Sequence, residues 1–466
     1  MTSMLDGCTP WPEGFVDRYW AAGHWRGTTL DSLLRGWALQ HGPRTALVSG
    51  GTRITYAALN RRVDRMAAGF RLLALRPGQR VVVQLPNVPE FVVTVFALMR
   101  AGVVPVLCPV SHRTPEVAHL VQLAQAVGYV GPSAYGGFDH TAMAADIAAR
   151  GPFLRRVFTL EAPGTSSPYG GYTTDPAGCH YFPLGSVDAP PAPALPLSAG
   201  QVAFFLVSAA TDGAPPLLVP RTHNDYAYQA GACAEVVSLT EDDVYLAALP
   251  ADSGFALGSP GVIGTLSVGG TVVLAETSDP AACLAAVARE RVTVTSVVPA
   301  VARRWLEVLE AHEAHEAARA DLSSVRLVQI GGDTPHPATA ERLASAVGCR
   351  IQQVFGPAEG PLALTRPADP EETVLTAQVR PLSPDDEIRI VDADGRDVPD
   401  GEPGELIARG PYTVRGYYRA PEQNARSFTG DGYFRTGALV HRTAGGDLVV
   451  TGRRTGREAP EAASTL

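Results

Sequence analysis

The chain has little of what would mark it for several common tasks. Its cysteines, Cys8, Cys108, Cys179, Cys233, Cys283 and Cys349, lie far apart and none forms a CxxC pair. That spacing signals neither a zinc site nor a disulfide framework, so buried free thiols in a reducing compartment are the expectation. Long apolar runs are missing too. The stretch 91–98 is among the longest and is far too short to span a bilayer. The first ten residues lack a basic, apolar leader. Positive charge is not in excess: the net charge is −9, which gives no basic surface for nucleic acid or an anionic membrane. A cytoplasmic protein without nucleic-acid or membrane partners is expected.

What is present is an ordinary globular composition, 45% hydrophobic and 18% charged over 466 residues. A chain of this length exceeds one simple core and predicts two or three packed subdomains. Residues 55–70 place Leu59, Val63, Met66, Ala67 and Phe70 on one helical face, with Arg61, Arg62, Asp64 and Arg65 opposite. A two-sided core strand follows at 80–85, a helix at 89–100 stopped by Gly102, and another buried strand at 103–110. The rhythm resumes with strands at 292–298 and 325–330, a helix at 337–347 and a strand at 350–355. This alternation predicts an α/β fold with mainly parallel sheets covered by helices.

Between 161 and 200 the composition turns to Pro, Gly, Ser and Thr, which reads as a long irregular connection. Beyond residue 387, strands at 387–391 and 405–409 flank the turn signals Asp394-Gly395, Asp400-Gly401 and Pro403-Gly404. The predicted organisation is a first αβ subdomain over 1–190, a second over 191–380, a β-rich subdomain over 381–453 and a tail over 454–466.

One segment has the character of a phosphate loop. Ser208-Ala-Ala-Thr-Asp-Gly-Ala-Pro-Pro-Leu-Leu-Val-Pro-Arg-Thr-His223 follows the apolar run 202–207, and small residues after a strand let backbone N–H groups cradle phosphates. On its own the signal is weak, and an ordinary turn is the better reading of it. Further segments extend the pattern: Trp11-Pro-Glu, Gln84-Leu-Pro-Asn-Val-Pro-Glu90, Pro220-Arg-Thr-His-Asn-Asp-Tyr226, Gln353-Val-Phe-Gly-Pro-Ala-Glu-Gly360, Arg409-Gly-Pro-Tyr-Thr-Val-Arg-Gly-Tyr-Tyr418 and Tyr433-Phe-Arg-Thr-Gly437. In this order they resemble the adenylate-forming superfamily of acyl-CoA synthetases, luciferases and peptide-synthetase adenylation domains. Stand-alone aryl-acid–AMP ligases, which activate 2,3-dihydroxybenzoate or salicylate for siderophores, are the nearest likeness.

The resemblance implies the large N-terminal domain of that fold. It also implies a reaction in which a carboxylate and ATP give an acyl-adenylate and pyrophosphate, after which a thiol of CoA or a carrier protein attacks. Such chemistry needs cations and N–H donors around a triphosphate, a metal ligand and a ribose anchor. By the same resemblance the remnant nucleotide site comprises Ser208, Thr211, Gly213, Gly331, Gly332, Val354, Phe355, Gly356, Glu359 and Arg453. Glu359 faces the metal region, should Mg be bound.

Several anchors differ from the family pattern. The loop lysine is replaced by Pro216 or Leu217, two glycines by Ala209 and Ala210, and a hydroxyl residue by Asp212. A carboxylate about 4 Å from a phosphate charge costs about 4 kcal/mol at an effective dielectric near 20. The lost lysine removes a charge-assisted contact of about 1.5–3 kcal/mol. Ala438 stands where the family has its ribose-binding aspartate. In the acyl pocket, implied to comprise Ser253, Gly254, Phe255, Gly258, Gly331 and Asp333, Ser253 and Gly254 replace a His-Asn pair and Gly258 a serine. A wider, less polar pocket is therefore expected. The family's small mobile C-terminal domain has no counterpart in the tail.

Three functions follow. The first is a homologue that has lost ordinary ATP-dependent adenylation and binds an aryl or acyl ligand, or an aryl carrier protein, with neither ATP nor Mg as a firm cofactor. The second is an ATP-independent enzyme reusing the pocket for acyl transfer, condensation or cyclisation, with Asp212, Ser253, Asp333 and Glu359 as candidate catalytic groups. The third is an active acid–AMP ligase completed by a separate C-terminal domain. Of other candidates, His312-Glu-Ala-His315 lacks zinc-protease spacing and reads as a solvated helix face, and His223 reads as structural.

Overall fold

A computed structural model describes residues 4–161, 172–208, 214–313, 321–332 and 337–454. Two large sheets carry the fold. Among the described residues the first has eight strands, with Val202–Val207, Val104–Leu107, Arg80–Val83, Gly128–Pro132, Arg156–Leu160 and His180–Pro183 side by side and parallel. Antiparallel strands close both edges, Leu218–Thr222 at one and Thr173–Thr174 at the other. The second has thirteen strands among the described residues. Its parallel half runs through Thr45–Ser49, Thr271–Leu274, Val244–Ala247, Val294–Val297, Leu327–Gly331 and Arg350–Phe355. Sheet membership interleaves along the chain: the early strand at 45–49 joins the second sheet, and the later pair at 202–222 joins the first.

The helix Pro89–Arg100 shows why the sheets stack. It has Pro at its first turn and every residue from Phe91 to Arg100 is buried, so it is apolar all round and fits only between layers. Its core cluster joins Val81 and Val83 of the first sheet to Leu47, Tyr245 and Val272 of the second. Arg100 at its end is buried and its guanidinium pairs with Asp64 at 3.0 Å, which offsets the cost of burying the charge. Gly102, at φ +72°, ends this helix in the left-handed conformation that glycine adopts freely. The amphipathic helix expected at 55–70 spans Tyr56–Leu72, capped by Thr55, whose side chain accepts from Ala58 N at 3.2 Å.

The reading of 161–200 as wholly irregular needs correction. His180–Pro183 adds a parallel strand beside Arg156–Leu160, because Tyr181 and Phe182 have apolar faces to bury against that edge. Beyond Phe355 the second sheet turns antiparallel. Ala363–Leu364 and Gln378–Pro381 lead into Leu448–Arg453, Phe434–Arg442, Gly404–Arg409 and Glu387–Val391. The β-rich unit thus extends the second sheet and carries its own small core of Val379, Ile390, Leu406, Ala438, Val440 and Leu448. Among the described residues, no helix is long and apolar enough to cross a membrane.

Candidate functional site

Open parallel sheets bind ligands outside the carboxyl ends of their strands. Four such ends supply the sequence-predicted residues. Val202–Val207 leads to Ser208, Val244–Ala247 to the segment 250–258, Leu327–Gly331 to Gly332, and Arg350–Phe355 to 356–360. Gly331 lies beside Val354 in register. The Phe255 ring lies over Gly331, where a β-carbon would be 2.9 Å from it. A β-carbon on Gly254 would point at Leu206 and Ala358, at 3.1 and 4.0 Å. Gly254, Phe255, Gly331, Val354 and the 356–360 turn therefore form one wall system. Gly356 packs closely on Leu362, and Phe355 leans on the core of the β-rich unit.

Ser253 is in place but chemically occupied. It caps the short helix Gly254–Gly258: its Oγ accepts from Ala256 N at 3.2 Å and donates to Pro250 O at 2.8 Å. Ser208 is similarly engaged, accepting from Leu217 N at 2.9 Å at the base of the hairpin. Thr211, Asp212, Gly213 and Asp333 lie outside the described residues, as do Ala209 and Ala210.

The structure revises the pocket at Gly258. A β-carbon there would meet the Tyr226 ring at 2.6–2.7 Å, so the space lacking a side chain is filled by Tyr226 and is not added to a pocket. The same phenol donates to Gly254 O at 3.2 Å and meets Phe204 edge-on at 4.7 Å.

Glu359 is buried, and its Oε1 accepts from the Tyr417 hydroxyl at 2.6 Å. Tyr417 is clamped in turn by Asn424, which accepts from its N–H at 2.7 Å and donates to its carbonyl at 2.9 Å. Behind this turn Arg221, fully buried, bonds Asp225 at 2.8 Å, Gln229 at 2.7 Å, Ala358 O at 3.1 Å and Tyr412 O at 3.2 Å. Arg221 thus ties the Glu359 turn to the helix His223–Val236. Arg221, Tyr226 and Tyr417 all lie in segments that the sequence singled out, yet no spacing rule assigned them these tasks. His223 is structural: its Nδ1 accepts from Leu30 N at 3.1 Å, and burial lowers its pKa to about 4.

Ala438 is 1% exposed and packs within the apolar core of the β-rich unit, in register with Arg453 on the neighbouring strand. Asp252, next to Ser253, is buried with Oδ2 lacking any hydrogen-bond partner, and burial pushes its carboxyl up to about 7. Burial also raises the Cys8, Cys108, Cys179, Cys233, Cys283 and Cys349 thiols, which keeps them protonated and unreactive. Among the described residues, no group of three or more His, Cys, Asp or Glu is arranged to hold a metal ion.

Walls gathered at strand ends of two stacked sheets, continued by an antiparallel β-rich unit, define a class. Residues 34–418 match the AMP-binding enzyme family, and the chain belongs to it, as a member of the adenylate-forming superfamily of the aryl-acid–AMP ligase type. Its sequence is 45% identical to triostin synthetase I of Streptomyces triostinicus, over 97% of this chain and 80% of that one. It is 41% identical to the 2,3-dihydroxybenzoate-AMP ligase of Bacillus subtilis, over 97% of this chain and 79% of that one. Among solved structures, apo MbtA of Mycobacterium smegmatis superposes with a TM-score of 0.86 at 41% identity, covering 97% of this chain and 81% of the other.

Proposed function

We propose that this protein binds an aryl or acyl ligand at the strand-end walls described above and has lost ordinary ATP-dependent adenylation. It then serves siderophore or other secondary-metabolite biosynthesis as a non-adenylating protein, receiving its ligand free or on an aryl carrier protein. The relatives whose names include 2,3-dihydroxybenzoate and salicyl support the ligand class.

The observation that carries the loss of adenylation is Ala438. Its side chain is enclosed by Val379, Ile390, Leu406, Val440 and Leu448, so this position offers a ribose neither a hydrogen-bond acceptor nor access. The residues present do not fit a bound nucleotide there, and no reaction step through ATP is assigned. Asp212 and the missing loop lysine point the same way from sequence. Several such losses, each worth a few kcal/mol, lower a rate by powers of ten. The ATP-independent catalytic reading draws less support from Ser253, whose proton is donated to Pro250 O and whose oxygen accepts from Ala256 N within its own turn.

Titration calorimetry with ATP·Mg²⁺ is expected to give no binding tighter than about millimolar, the scale on which −4 kcal/mol is the whole binding energy. Pyrophosphate exchange with a panel of aryl acids is expected to be absent. Submillimolar ATP binding, or exchange with any acid, ends the proposal, and exchange establishes an active ligase.

A further inference from the structure

Two buried donors lie together near the N-terminus without partners. The Tyr19 hydroxyl, on the helix Glu13–Ala21, is 0% exposed and has no hydrogen-bond partner among the described residues. Arg415 Nη1 is buried and has none either, and its guanidinium makes no ion pair among those residues. Such groups are rare, because a polar atom taken out of water without a partner costs free energy. Both side chains pack on Phe15, whose ring centre lies 6.1 Å from that of Tyr19 and 5.0 Å from the Arg415 guanidinium carbon. They are near enough that the Arg415 charge favours ionisation of the Tyr19 phenol, yet they do not bond each other. Burial outweighs that pull and raises the phenol, so it keeps a proton to donate. A β-carbon on Gly432 would strike the guanidinium, so Arg415 is boxed in place.

The carboxylates nearby are engaged elsewhere. Glu387 accepts from Arg18 at 2.9 Å and from Arg409 at 2.6 and 3.0 Å. Asp385 pairs with His24 at 2.5 Å, and the exposed Asp431 accepts from the Thr429 hydroxyl at 2.6 Å. Asp386 accepts from the Tyr412 hydroxyl and turns its second oxygen against Gly410. Arg409 lies over the same Phe15 ring at 5.0 Å and adds positive potential.

We propose that Arg415 and Tyr19 bind a small monovalent anion of the halide class between them. The guanidinium supplies charge and an N–H, and the phenol supplies an O–H. Two donors suit a monatomic ion, whereas a phosphate-like polyanion would keep most of its acceptors unbonded. The anion pins the helix Glu13–Ala21 to the segment that carries Tyr417, the partner of Glu359.

The test is a chloride titration of the whole protein at constant ionic strength, with gluconate as the replaced anion, read by chlorine NMR line broadening. Crystals soaked in bromide locate the ion by its anomalous scattering. Saturable broadening and a bromide peak between Arg415 and Tyr19 are expected. Arg415→Met is expected to weaken chloride binding at least about tenfold, the loss of one charge-assisted hydrogen bond. Tyr19→Phe keeps the ring packing, removes only the hydroxyl and is expected to weaken it about threefold or more. Absence of saturable broadening, or unchanged binding in Tyr19→Phe, overturns the inference even if Arg415→Met does not fold. Bromide found only elsewhere marks an adventitious ion and overturns it as well.

Discussion

Replacing Arg221 by Met tests how the site is held. The side chain is 1% exposed and Asp225 is 0% exposed, so the pair lies wholly out of water. Methionine fills much of the same volume but removes all four hydrogen bonds to Asp225, Gln229, Ala358 O and Tyr412 O. Asp225 then keeps only the donors of Thr222, at its backbone N and its hydroxyl. Breaking one side of a buried pair costs about 3–5 kcal/mol, because the remaining charge is left uncompensated. Equilibrium urea unfolding at pH 7 should show a loss of that size.

The loss should also depend on pH. Burial already holds the Asp225 carboxyl above its ordinary value although Arg221 opposes this, and removing Arg221 raises it further. With the folded pKa above the unfolded one, the folded state binds the extra proton and stability falls as pH rises between the two. The deficit of the variant should therefore shrink as pH is lowered from 7 toward 5. The double variant Arg221→Met, Asp225→Leu removes the stranded charge and should recover part of the loss. A single-variant loss below about 1 kcal/mol, or a deficit that grows on acidification, refutes the argument.

Three further outcomes are expected. Asp252→Asn should stabilise the protein above pH 7: the wild-type carboxyl is raised by burial from 3.8 to about 7, so its penalty develops between those values and reaches up to about 4 kcal/mol. Comparing urea midpoints of the two proteins at pH 5 and pH 8 checks this, and equal differences at both contradict it. Ala438→Asp places a carboxylate in an apolar core and should cost about 3 kcal/mol or more without raising ATP affinity, as read by denaturation and calorimetry. Gly258→Ser drives its β-carbon into the Tyr226 ring and should destabilise by about 1–3 kcal/mol, measured by denaturation.

Much of the frame was legible in the sequence. The helix Pro89–Arg100 was readable to its ends, because an N-terminal proline and a following glycine act locally. The strands Arg350–Phe355 and Glu387–Val391 were readable from apolar runs bounded by turn residues. The strand His180–Pro183 was not, because its local composition is that of a loop and only the exposed edge beside Arg156–Leu160 makes it a strand.

Sequence by itself determined the family, the order of the elements and the identity of the altered anchors, since ordered motifs and residue types are read without coordinates. Tertiary structure decided what those residues are free to do. Ser253 kept a hydroxyl in sequence but spends it on its own turn. Gly258 suggested added space, and Tyr226, 32 residues earlier in the chain, fills it. Ala438 was a missing acceptor, and the fold encloses it in apolar packing. In each case the deciding partner is distant or its direction is set by the fold, and hydrogen-bond capacity and free volume are properties of neighbours in space.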